Sequence, residues 1–361
     1  MRVVITGING FLGKNLAHYL SVRDIEVIGI ARNENRINIK EKVSRAEIFI
    51  HLAGVNRTSN PEDFRNGNEE YLKEILSIIS ELNNWKGRII YISSTQAGNN
   101  SLYGKSKLES ENLLTSYGKE SGLNFDIIRI PNVFGKWSKP FYNSVVATFC
   151  YQIINNLPLT IDEPNKVMSL IHVDKFCEYI REIFSKTSSQ EISYLQPAYH
   201  LTVAELAEKL KKLDTEINLI PNLKDNLDKE LHSVLVSYLD FKPKNMEINS
   251  DSRGDFIEIL KLNEFNQISY LYCKSGEERG NHFHHTKVEV FFLLSELAEI
   301  LEVDLITNNS KSIELQKGDT YIARPGVVHT IRSPKEQPSQ WLIWANELYQ
   351  PNNADTFKYR S

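Results

Sequence analysis

Two groups of residues in this sequence have the types and spacing of reaction chemistry. The first is Tyr103-Gly-Lys-Ser-Lys107, a phenol with a lysine one helical turn away. A phenol of pKa about 10 is a poor acid–base group at neutral pH, and a nearby ammonium favours its phenolate. Such a tyrosine can protonate a ketone oxygen as hydride arrives at the carbon. Spacing alone decides nothing, because Tyr238/Lys242 and Tyr270/Lys274 share it. Position selects Tyr103, which follows the apolar run RIIYISST; Ser93, Ser94 or Thr95 at the end of that run offers a hydroxyl to orient the carbonyl.

The second group lies in GEERGNHFHHTKVE and in Pro325-Gly326-Val-Val-His329. His282 and His284 are two apart, so on a strand both rings face the same way. With Glu289 and His329 they make three imidazoles and a carboxylate, a donor set that suits Zn2+, Fe2+, Mn2+ or Ni2+. Zinc is the ion expected. His285, Tyr270, Tyr272 and Tyr321 are nearby groups able to carry a proton.

Gly7, Gly10 and Gly13 in TGINGFLG form a third feature. Glycines at a first strand-to-helix turn let the backbone approach a pyrophosphate, and the helix N-terminus stabilises its charge. Arg32 stands just past the second apolar run, where an NAD enzyme would offer an acidic side chain to the ribose; an arginine there suits the 2′-phosphate of NADP. Asp174, in LIHVDKF, reads as a helix N-cap.

The elements that must position these groups change character along the chain. VVIT, EVIGI, EIFIHLA, RIIYIS and FDIIRI are near-continuous apolar runs, as expected of strands buried on both faces. Residues 68–82 and 105–121 between them read as crossover helices, which gives an α/β doubly wound, Rossmann-type parallel sheet. After about residue 240 come short strands at close spacing: FIEIL, QISYLYC, EVFFLL, SIEL, TYIA and WLIWA. With turns such as Lys317-Gly318-Asp319 they predict an all-β barrel or sandwich. We therefore expect a dinucleotide-binding domain over 1–243 and a metal-binding domain over 244–361.

The composition excludes several alternatives. The chain has 361 residues, 42 Lys+Arg against 46 Asp+Glu, and a formal net charge of −4, which gives no electrostatic reason to expect nucleic acid or a polybasic membrane contact. Three scattered cysteines without a CxxC pair fit reduced cytoplasmic thiols. MRVVITG has too short an apolar stretch for a secretory leader, and residues 291–306 are interrupted by Glu296, Glu299, Glu302 and Asp304, so no membrane span is expected.

TGINGFLG, HLAGVNR, ISST, YGKSK and RIPNVFG resemble, in that order, the extended short-chain dehydrogenase/reductases that act on nucleotide sugars. The resemblance implies that Tyr103 and Lys107 are catalytic, assisted by Thr95 or Ser94. It also implies that Gly7, Gly10, Phe11, Leu12, Gly13, Arg32, Leu52, Ala53, Gly54, Lys107, Asn132 and Val133 lie along NADPH. Gly276 to Glu289 resembles the first motif of the cupins, and Gly318 to His329 approximates the second, with altered turn glycines. The pairing resembles a family of bifunctional enzymes of capsule and O-antigen synthesis, over nearly the whole chain. It implies a homodimer acting on a UDP-4-keto-6-deoxy-N-acetylhexosamine: C3 epimerisation in the cupin, then C4 reduction, toward UDP-N-acetyl-L-fucosamine. Two alternatives stand beside it, a reductase with a structural cupin and a non-catalytic NADP sensor.

Overall fold

The computed structural model describes residues 1–82, 85–187, 190–215, 223–239, 246–262, 266–349 and 354–360. Its contacts divide into two compact units, one of residues 1–214 with 223–239 and one that includes residues 240–361. The expected boundary at 243/244 falls among residues 240–245, outside the described ones.

The first unit runs β1 (Arg2–Thr6), α1 (Phe11–Ser21), β2 (Glu26–Ile30), α2 (Arg36–Ser44), β3 (Ile48–His51), α3 (Pro61–Phe64), a π-helical turn (Arg65–Glu70), α4 (Tyr71–Ser80), β4 (Arg88–Ser94), α5 (Leu102–Ser121), β5 (Asn124–Ile130), β6 (Asn132–Phe134), α6 (Val145–Ile154), β7 (Val167–His172), α7 (Val173–Ile183), β8 (Ile192–Tyr194), β9 (Tyr199–Thr202), α8 (Val203–Thr215) and α9 (Asn226–Val236). Six strands form a parallel sheet in the order β2-β1-β3-β4-β5-β8. The order reverses between β1 and β3, the switch point at which open α/β sheets bind ligands. One face of this sheet buries Val3, Ile5, Ile50, Ile90 and Ile128 against α1 and α7. The other buries Val4, Phe49, Ile89, Phe125 and Ile127 against α2, α4 and α5. This two-sided burial is why the strands read as continuous apolar runs.

Asp174 is not the N-cap of α7. His172 holds that place, its Nδ1 accepting from the Asp174 amide at 3.3 Å, and Asp174 stands in the first turn beside Lys136.

The second unit comprises β10 (Ile248–Asp251), β11 (Gly254–Leu262), β12 (Asn266–Cys273), β13 (Glu278–Phe283), β14 (Glu289–Leu293), β15 (Leu297–Asp304), β16 (Ser310–Gln316), β17 (Thr320–Ala323), β18 (Val327–Arg332), β19 (Ser339–Ala345) and β20 (Phe357–Lys358). They pair antiparallel in two sheets, β10-β11-β12-β19-β14-β17 and β16-β15-β18-β13-β20. Both sheets feed one core: Leu271, Phe291, Trp341 and Ile343 from the first, Ala298, Ile300, Leu315 and Ile331 from the second. Among the described residues no helix is long and apolar enough to cross a membrane.

α5 is anchored by a buried carboxylate. Glu111, 1% exposed, takes Arg129 Nε at 2.9 Å and Nη2 at 2.6 Å from β5, and the Ser93 hydroxyl from β4. Removing one member of such a pair leaves an uncompensated buried charge. Arg129→Leu should therefore lower the unfolding free energy by about 3 kcal/mol, read as a shift of the urea midpoint; an unchanged midpoint would show that the pair is not holding α5.

Candidate functional site

In the first unit the glycine turn and α5 face the carboxyl ends of β1, β3 and β4. Gly7 has φ +68°, and its carbonyl accepts from the Gly10 amide at 2.8 Å. A Cβ on Gly13 would lie 2.2 Å from the Gly7 carbonyl oxygen, and one on Gly7 2.9 Å from the Ala53 nitrogen, so both close approaches require glycine. Gly10 caps α1 with no side-chain bond, leaving first-turn N–H groups for an anion. Thr6 ties in the next loop: its hydroxyl accepts from the Leu52 and Ala53 amides at 3.2 and 3.1 Å and contacts His51 Nδ1 at 3.1 Å. Gly54 lies against Asn68, whose side chain bonds both the amide and carbonyl of Val55 and also Ser106 on α5.

The remaining cofactor candidates flank this turn. Phe11 and Leu12 open α1 and pack on the core. Asn132 is exposed and Val133 half-buried on β6, directly after β5. Arg32 is exposed just beyond β2. Sequence reasoning missed Glu34 there; its carboxylate is engaged by the Ala31 amide and by Lys42, whose pairing holds it below its ordinary pKa despite partial burial.

Ser101 caps α5, accepting from the Gly104 amide at 2.9 Å, and so places Tyr103 in the first turn. Burial pushes the Tyr103 phenol up, while a hydrogen bond with Ser94 opposes the shift. Ser94 is buried, whereas Thr95 is exposed, its amide bonded to the Ile130 carbonyl. Lys107, one turn further along α5, is buried against β4. Its ammonium donates to the Ile92 carbonyl at 2.7 Å and lies 4.3 Å from the Tyr91 ring. Burial pushes Lys107 down to about 7, against the Glu111 charge that raises it. Buried His51, lowered to about 3 by desolvation and by Lys107, is neutral beside it. The result is a protonated phenol at neutral pH, which suits a proton donor rather than a base.

In the second unit the four candidate ligands converge, with their ligand atoms all within 4.8 Å of one another. A bulge in β13, with Gly280 at φ +105° and Asn281 at φ +54°, shifts the register so that His282 stands opposite His329 on β18. His284 lies one residue past the end of β13, not on the strand as its spacing suggested, yet its ring is 5.0 Å from that of His282. The Gly326 amide, in the Pro325-Gly326 turn, donates to the His284 carbonyl at 2.8 Å. Glu289 Oε2 is 3.2 Å from His284 Nε2 and 3.4 Å from His329 Nε2. Neither buried ring nitrogen of His329 has a well-aligned hydrogen bond. Two donors about 2.1 Å from a tetrahedral ion would be roughly 3.4 Å apart, so the residues fit a divalent cation.

The charges fit as well. Burial alone would raise the Glu289 carboxyl, but His284, His329 and Lys287 hold it well below its ordinary value. Burial and the neighbouring His329 push His282 down to about 4, which keeps the ring neutral and its lone pair free. Lys287, 2.6 Å from Glu289 Oε1, is buried at the cluster and was missed in the sequence. Three of the proton carriers considered there lie off the cluster: His285 is exposed between Phe283 and Phe357, and Tyr270 and Tyr272 alternate with the core residue Leu271. Tyr321 stands beside it, its ring 6.4 Å from that of His329. The Tyr321 phenol donates to Glu302 at 2.8 Å, and burial with that carboxylate pushes its pKa far up.

Comparison with known proteins bears on both units. The NAD dependent epimerase/dehydratase family matches residues 3–193, and the polysaccharide biosynthesis C-terminal domain matches residues 249–357. The chain is 33% identical to the UDP-2-acetamido-2,6-beta-L-arabino-hexul-4-ose reductase of Pseudomonas aeruginosa, over 99% of this chain and 98% of that one. A crystal structure of the capsular polysaccharide assembling protein CapF from Staphylococcus aureus superposes over 100% of both chains with TM-score 0.88 and 32% identity. RMD from Pseudomonas aeruginosa, complexed with NADPH, shares a fold with part of the chain, with TM-score 0.56 and 17% identity over 66% of this chain and 98% of that one.

The depressed Lys107 makes a pH prediction. The folded chain releases this proton near pH 7 and the unfolded chain near 10.5, so between those values the unfolded state binds more protons and stability rises with pH. Urea unfolding of wild type should gain stability relative to Lys107→Met from pH 7 to pH 10; parallel profiles would place the lysine's folded pKa elsewhere.

Proposed function

The chain belongs to the NAD dependent epimerase/dehydratase family and is of the CapF type, an NAD(P)-dependent enzyme of nucleotide-sugar chemistry, and from that premise we propose that it carries two activities. The His282/His284/Glu289/His329 cluster epimerises C3 of a UDP-4-keto-6-deoxy-N-acetylhexosamine. The Tyr103 site then reduces the C4 ketone with NADPH to a UDP-6-deoxy-L-talosamine, on the route to UDP-N-acetyl-L-fucosamine in capsule or O-antigen synthesis. The observation that carries this reading is the convergence of four buried or half-buried metal-type donors in the same chain as the Tyr103 site. The Pseudomonas relative, named for reduction of a 4-ulose, supports the substrate class. Arg32 free at the end of β2, with Glu34 already engaged by Lys42, supports NADPH over NADH. The homodimer and the cytoplasmic location belong to the same reading and rest on the family resemblance.

When bound, NADPH supplies hydride, and a divalent ion, taken as Zn2+, supplies positive charge for the ketone oxygen. The chain's own residues do the rest. Tyr103, kept protonated by burial and oriented by Ser94, gives its proton to the C4 oxygen as that carbon is reduced. The uncapped first turn of α1 leaves backbone N–H groups for the pyrophosphate, and Gly7 and Gly13 let that turn pack closely beside the Thr6-held Leu52–Gly54 loop. At the other site the C3 proton is acidic because it is α to the C4 carbonyl. His282, His284, Glu289 and His329 would hold the ion against that carbonyl, and protonation from the opposite face would invert the centre.

The two sites should separate by mutation. Tyr103→Phe should lower C4 reduction by about 10²- to 10⁴-fold while C3 exchange with solvent deuterium continues, seen by NMR of the sugar in D2O. His282→Ala should first remove bound metal and C3 exchange. Loss of both activities in a folded Tyr103→Phe enzyme would sink the two-site scheme. Reduced product with no deuterium at C3 in wild type would leave the C-terminal unit a structural module, and no product would favour another sugar or the sensor reading.

A further inference from the structure

Asp355 makes more contacts to the ligand loop than does any of the ligands themselves. Its carboxylate accepts from three consecutive amides: His285 at 2.9 and 3.1 Å, Thr286 at 2.6 Å and Lys287 at 2.7 Å. It also accepts from the Thr286 hydroxyl at 3.0 Å. Those residues connect His284 to Glu289, so the carboxylate closes the loop on which two of the four ligands sit. Its own main-chain carbonyl is bonded by His284 Nδ1. Beyond it the chain continues as β20, which pairs His282 with Lys358 and Phe283 with Phe357, and the Tyr359 amide donates to the Asn281 carbonyl at 3.0 Å.

We propose that Asp355 is the positioning residue of this donor set, fixing both the loop and the tautomer of His284. A carbonyl oxygen can only accept, so His284 Nδ1 carries a proton and Nε2 is the ring nitrogen left to hold a cation. That Nε2 faces Glu289 Oε2 at 3.2 Å, a separation that a shared cation would bridge. Free rotation of the ring or loop would scatter the donors and lower affinity without touching any ligand. The contact is invisible to motif spacing, since it joins residues 69 and 70 apart in sequence.

This inference rests on the reading of His282, His284, Glu289 and His329 as metal ligands, and the test separates the two. Zn2+ affinity of the full chain is measured by competition with a chromogenic chelator, alongside the urea midpoint of the metal-free protein. Wild type should bind one Zn2+, and Asp355→Asn should bind it about 10- to 100-fold more weakly, with Asp355→Glu recovering part of the loss. The Co2+ absorption bands of Asp355→Asn should also shift from those of wild type, as a distorted donor set requires. A core variant of matched midpoint, Ile300→Val, should leave affinity unchanged, which a merely structural role would not predict. Unchanged affinity in Asp355→Asn, or an equal loss in Ile300→Val, overturns the positioning role; a wild type that binds no Zn2+ overturns the ligand reading beneath it. If Asp355→Asn does not fold, Thr286→Val removes only the hydroxyl contact and should weaken Zn2+ several-fold, while full affinity in that variant counts against the proposal.

Discussion

Everything at the reductase site depends on α5 being held in one rotation against the sheet. That constraint is electrostatic. Glu111 is taken out of water where β4 and β5 can satisfy it with Ser93 and both arms of Arg129. One turn earlier on the same helix Lys107 is fixed to the Ile92 carbonyl, and another turn earlier the Tyr103 phenol is under the influence of the Ser94 hydroxyl. Three successive turns of one helix therefore meet the end of one strand. A helix free to roll would lose all three contacts together.

The second unit solves its positioning problem differently. No single helix carries the four side chains; they come from β13, the segment after it, β14 and β18. Register replaces rotation as the controlled variable. A one-residue bulge at Asn281 brings His282 opposite His329, and without it the alternation of the strand would send one ring away from the other.

The candidate residues of both sites stand in short local patterns, which is why they could be singled out. The strands of the first unit could be read because burial on both faces leaves continuous apolar runs, and RIIYISST correctly marked the element before Tyr103. The cluster of three histidines and a glutamate was legible from its spacing. What escaped was set by side-chain direction or by distant partners. The hydroxyl run did not say whether Ser94 or Thr95 turns inward. Tyr-x-x-x-Lys did not say that the lysine would spend its charge on a carbonyl. LIHVDKF placed the cap on Asp174, whereas the imidazole of His172 takes it. Lys287 and Asp355 look like ordinary surface charges, and only the pairing of β13, β14 and β20 brings them to the cluster.

The pairing of β13 with β18 and β20 has a kinetic consequence. His282 must find His329, and Thr286 must find Asp355 across 69 residues, whereas Tyr103 and Lys107 share one helix. Closures over long stretches of chain are entropically costly before any contact rewards them, and topologies rich in them fold slowly. α5 can take shape while the β-unit is still searching for its strand partners. The His/Glu cluster is then among the last features to assemble, so the first appearance of its ordered geometry during refolding serves as a clock for completion of the second unit.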